Sequence, residues 1–137
     1  MRAILFMMLC GTSVAWACVP ELPGSKGGKA HTIDSKKYAL AYRTQPEKIE
    51  IGKHFVVEFA LCAKDGTAAP ESVRVDAYMP EHRHGMNYKT TVTGGAGKYR
   101  AEGLMFHMPG RWEYIFEVRA TGTAGAIERL TTSVVLQ

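Results

Sequence analysis

The chain has 137 residues, 46% of them apolar, and a formal charge of +4 from 17 lysines and arginines against 13 acidic residues. That composition suffices for one domain with a core of its own. The basic residues are scattered along the chain, which argues against nucleic acid as a partner, since that would call for a basic stripe.

At the N-terminus, Arg2 precedes an apolar run from Ala3 to Leu9, and small residues follow up to Ala15-Trp16-Ala17. This predicts a signal peptide over residues 1–17, cleaved after Ala17. The run falls short of the about 20 residues a membrane span needs, and no later segment approaches that length. The expected mature chain is therefore periplasmic or otherwise exported, without a transmembrane segment. Cleavage would leave Cys18 first, but a lipid anchor there is disfavoured. The leucine usual three positions before a lipidated cysteine is absent, and Trp16 is bulky.

Of the three cysteines, Cys10 leaves with the signal, so Cys18 and Cys62 remain. An even pair in an oxidising compartment predicts a disulfide that staples the N-terminal tail to the domain. The competing role, a free Cys18 in a metal site, finds no blue-copper loop to join, because no histidine or methionine closely follows Cys62. The cysteines are read as structural.

Residues 18–34 form the expected flexible leader, rich in glycine, proline and lysine between Pro20 and His31. From Ser35 onward the apolar residues alternate with period two, the signature of half-buried strands. Tyr38, Leu40 and Tyr42 share a face, as do Phe55, Val57, Phe59 and Leu61, with Glu58 outward. Lys64-Asp65-Gly66-Thr67 supplies a turn. Val73, Val75, Ala77 and Met79 then point one way and Arg74 and Asp76 the other, until Pro80, which has no N–H to donate, stops the ladder.

His82, His84, Gly85 and Met86 follow as a loop, and Asn87 to Thr93 predicts another short strand. Gly94-Gly95-Ala96-Gly97 is a tight connection. Lys98 to Met108 reads as a strand bulged at Gly103, because Tyr99 and Ala101 keep one parity while Leu104, Phe106 and Met108 keep the other. After Pro109-Gly110, the residues Trp112, Tyr114, Phe116 and Val118 make the strongest alternation, and a last strand over about Ile127 to Leu136 buries Leu130, Val134 and Leu136. The expected fold is all-β: one sandwich of about seven strands, immunoglobulin-like or cupredoxin-like, over residues 35–137.

Four of the seven methionines and three of the five histidines fall between Met79 and Met108. Thioether sulfur and imidazole nitrogen form a soft donor set that selects copper, above all Cu(I), whereas oxygen donors suit calcium or magnesium. Structural zinc sites instead want four ligands dominated by cysteine and histidine. The bland reading is that the methionines fill core gaps and the histidines sit on a polar loop. The candidate metal ligands are Met79, His82, His84 and Met86, with His107 and Met108 offered from a second strand end. Strict alternation makes Met108 core-facing and His107 solvent-facing, so His107 ranks above Met108. Phe106 and Trp112 are read as core, His54 as a surface residue, and Tyr78 and Tyr88 as flanking the loop. The set works only if the ends at Met79 and at His107-Met108 share one edge of the sandwich.

The stretch Tyr78-Met79-Pro80-Glu81-His82-Arg83-His84-Gly85-Met86, then Gly97-Lys98-Tyr99-Arg100, then Gly103 through Glu113, resembles the YtkA-like domain of bacterial exported proteins, related to the FixH-like family. The resemblance implies an immunoglobulin-like sandwich in the cell envelope and a link to copper handling or to assembly of copper enzymes. The cluster is also similar in kind to the periplasmic copper chaperones that serve cytochrome oxidase, which are sandwiches with Met and His ligands. The chain departs from their pattern at its last pair, where Met105-x-His107 and His107-Met108 stand in place of a final His-x-Met. Ligands are therefore not carried over from that family.

No catalytic constellation is expected. The histidines have no paired nucleophile, no Gly-x-Ser-x-Gly elbow or phosphate-cradling glycine loop occurs, and Glu81 has no carboxylate partner. Two functions remain: an exported protein that binds Cu(I) or Cu(II) through the Met/His loop, for trafficking or for a copper-enzyme partner, and a metal-free module that docks on another envelope protein.

Overall fold

The computed structural model describes residues 18–22, 29–122 and 126–137, so the expected signal peptide lies outside the described residues. All elements among them are strands: β1 (His31–Asp34), β2 (Tyr38–Gln45), β3 (His54–Ala63), β4 (Pro70–Met79), β5 (His84–Gly85), β6 (Thr91–Gly95), β7 (Lys98–Met105), β8 (Gly110–Ala120) and β9 (Ile127–Leu136). No described helix is long and apolar enough to cross a membrane.

The strands make a β-sandwich of two antiparallel sheets, one ordered β1-β2-β3-β7-β6 and the other β5-β4-β8-β9. The chain changes sheet between β3 and β4, between β5 and β6, and between β7 and β8. Period-two alternation aims one row of each strand inward. Leu40, Val57, Phe59 and Leu104 meet Val75, Ala77, Trp112, Tyr114, Phe116 and Leu130 in one buried core. Burying such side chains, at about 25 cal/mol per Å² of apolar surface, is what holds the sheets together.

The bulge appears where the parity of the sequence changes. Phe55 faces Leu104 and Val57 faces Ala101, so the single residue Val56 stands against both Glu102 and Gly103. Gly103 has φ +88°, and a Cβ there would come within 2.8 Å of the Lys89 carbonyl oxygen, so glycine is required twice over.

Several expectations need correcting. Among the described residues there are nine strands rather than about seven, because two short ones carry too few residues to show a period. One is β1, which places residues 31–34 in the sheet, paired with β2, instead of in the leader. The other is β5, inside the stretch read as a loop. The strand expected over Asn87 to Thr93 is shifted to Thr91–Gly95, and the one expected to reach Met108 ends at Met105. The start of the leader is tied down: Cys18 and Cys62 form a disulfide with Cα atoms 5.9 Å apart. Residues 19–21 lie along a cleft with Ala60, Cys62 and Lys98, which helps explain why Ala60 is buried on the outward side of β3.

Candidate metal centre

The ends of β4 and β7 and the starts of β3 and β8 lie together at one end of the sandwich, since Tyr78 pairs with Glu113 and His54 with Met105. The two Met/His segments therefore share an edge, as their joint use requires. Beyond Pro80 the chain reverses, with the His82 N–H donating to the Met79 carbonyl at 3.2 Å and Arg83 in the left-handed region at φ 55°. It then folds back on β4, placing His84 opposite Met79 and the Met86 N–H on the Ala77 carbonyl at 3.3 Å. Directly paired residues share a face. His84 thus joins Met79 on the inward side, beside Trp112 of the neighbouring strand.

The His84 ring stacks on the His107 ring, centroids 5.1 Å apart and planes at 30°. Both abut Trp112, at 5.8 Å for His84 and 5.3 Å for His107. Trp112 is itself fixed, stacked on Phe106 at 4.7 Å, with its indole N–H donating to the Met108 carbonyl at 3.1 Å. Reading Trp112 as core was right but incomplete, because it is also the floor of the histidine pair. Its inward parity beside Met79 was the available signal.

The other candidates take different places. His82 is exposed, its ring 5.9 Å from that of His84, so the three histidines form a row. Met79 is fully buried, and Gly110 covers it so closely that a Cβ there would collide with Met79 Cε. Met86 and Met108 are half-buried and packed on the core. His107 is half-buried as well, contrary to the solvent-facing position that alternation predicted. The alternation fails there because residues 106–109 are no longer strand. His54 is exposed, as expected, and makes an edge contact with Tyr88 at 4.9 Å. His31 stacks on Tyr42 at the edge of the other sheet, with centroids 5.1 Å apart. At the rim, Arg111 and Glu81 form an exposed ion pair at 3.3 Å.

Two imidazoles that share one ion through bonds of about 2.0 Å hold their centroids roughly 5 to 6.5 Å apart, a range that includes both the His84–His107 and the His82–His84 spacing. A second observation fits the same use: His107 Nδ1 is buried with no hydrogen-bond partner among the described residues. Leaving such an atom unsatisfied costs about 1–3 kcal/mol, which a bound ion would remove. Among the described residues, no three His, Cys, Asp or Glu side chains group so as to hold a metal. A fuller set would have to draw on thioether sulfur, and Met86 and Met108 are half-buried against the same core.

Among curated proteins, no relative matches the chain. A crystal structure of a DUF4426 family protein from Pseudomonas aeruginosa PAO1 is similar with a TM-score of 0.49 and 8% identity, over 79% of this chain and 96% of that one. The model of the YtkA-like family matches residues 34–117, which run from the end of β1 into β8 and include all six candidate ligands. On that match, spanning more than half of the chain, the protein belongs to the YtkA-like family.

Proposed function

We propose that this protein is an exported, non-enzymatic copper-binding protein that carries or buffers copper through the Met/His end of its sandwich, for copper trafficking or for assembly of a copper enzyme. The observation that carries this reading is the meeting of His84 and His107, at 5.1 Å, against Trp112. Imidazole and thioether donors over an apolar floor suit Cu(I) better than a hard cation. Glu81, the residue before His82, is held by Arg111 at 3.3 Å. The chemistry copper supplies when bound is exchange with another soft ligand set. The residues of this chain hold it, orient it and keep water from one side.

The test is a Cu(I) titration of the purified mature protein, residues 18–137, followed by the fluorescence of Trp112, the one tryptophan in that span. One equivalent should quench the emission, and joint replacement of His82, His84 and Met86 by alanine should abolish the effect. A triple variant that binds copper as tightly as the unsubstituted protein, or no response at all together with capture of an envelope protein, would sink this reading and leave the docking module.

A further inference from the structure

Of His82, His84 and His107, the last two each have a ring nitrogen whose role the surrounding atoms dictate. His84 Nδ1 lies 3.0 Å from the Gly85 carbonyl oxygen. A carbonyl can only accept, so in the neutral ring Nδ1 carries the proton and Nε2 is left with the lone pair. The bond also fixes the ring's orientation, as an outer partner does for a metal-bound histidine.

His107 presents the opposite case. Its Nδ1 is buried and has no partner among the described residues. A proton on that atom would be a buried donor with nothing to receive it, so the lone pair belongs on Nδ1 and the proton on Nε2. The two rings are stacked at 5.1 Å and both rest on Trp112. His82 is exposed to solvent, with its ring 5.9 Å from that of His84.

We infer that His84 through Nε2 and His107 through Nδ1 are the paired nitrogen ligands of the site, and that His82 lies outside it; this rests on the copper reading above. The pair comes from two separate segments of the chain, β5 and the connection after β7. The ligand set is therefore assembled by the folded sandwich and is not a property of the histidine-rich loop.

Two measurements test it. Long-range nitrogen–proton NMR correlations on the metal-free protein should show His84 protonated at Nδ1 and His107 protonated at Nε2. Competition against a chromophoric Cu(I) chelator should then show affinity falling on the order of 100-fold for His84→Asn, which keeps a donor toward Gly85 but lacks Nε2, and for His107→Gln, which leaves the Nδ1 position empty. His82→Ala should stay within about threefold of the unsubstituted protein, by the same standard. Copper binding that survives His107→Gln, or that His82→Ala abolishes, overturns the assignment while leaving the copper reading in place. No Cu(I) binding by the unsubstituted protein overturns both. Should a variant fail to fold, the tautomers decide: a proton on His84 Nε2 or on His107 Nδ1 overturns the assignment.

Discussion

At one end of the sandwich Cys62 is bonded to Cys18, and the turns around it are closed by ordinary partners. Ser35 Oγ accepts from the Tyr38 N–H at 3.1 Å, Lys64 pairs with Asp34 at 2.7 Å, and the Tyr38 hydroxyl donates to the Ala68 carbonyl at 2.9 Å. At the other end the soft donors collect, a buried ring nitrogen on His107 has no partner, and a tryptophan supports two histidines. The first end is finished by bonds within the chain. The second is left chemically incomplete, which is how a binding site differs from a closure, and rigid strands on either side hold it in place.

The sharpest way to break this division is to remove the covalent closure. Replacing Cys18 and Cys62 together by serine should lower the unfolding free energy by about 4 kcal/mol on the loop-entropy account, read by urea denaturation. Copper affinity should be unchanged. A loss of affinity alongside stability would mean that the two ends are coupled.

A smaller effect is expected from Gly110→Ala at the incomplete end. Gly110 has φ +121°, and the added methyl would meet Met79 Cε, so overpacking and backbone strain should cost roughly 1–3 kcal/mol. Because Met79 stands opposite His84, copper binding should weaken with it. Full stability in a thermal melt would show this end to be looser than the packing implies.

Tyr114 lies in the core between the ends, and its hydroxyl is buried without a partner. Tyr114→Phe removes that unsatisfied group and should stabilise the protein by about 1 kcal/mol. Burial, reinforced by Tyr42, raises the phenol above its ordinary value of 10.0. The sign follows: with the folded pKa raised, the stability from the neutral phenol is fully present below pH 10 and is lost as pH climbs beyond it. Denaturation against pH should therefore show an alkaline decline that is shallower in the phenylalanine variant.

The smallest effect belongs to the rim. Glu81→Gln breaks an exposed ion pair with Arg111 and should change stability by less than about 0.5 kcal/mol. A larger change would mean that the pair braces the turn before His84.

Much of the fold could be read from the chain because burial on one face leaves a period. The row Trp112, Tyr114, Phe116, Val118 is buried as its alternation requires, and the parity change at Gly103 marks a real bulge. Two residues leave no period, so β5 was invisible, and with it the pairing that turns His84 inward beside Met79. The orientation of His107 escaped for a related reason. Alternation was extended through residues 106–109, where the strand has already ended.

The donor chemistry and the inward rows were thus determined by the sequence alone, since residue type and a period of two are local properties. Which donors meet was not. His84 and His107 are separated by β6 and β7, and only the change of sheet between β7 and β8, with the fold-back of β5 on β4, sets their rings on the same tryptophan. Contacts between distant segments depend on strand order and register, which no local pattern encodes.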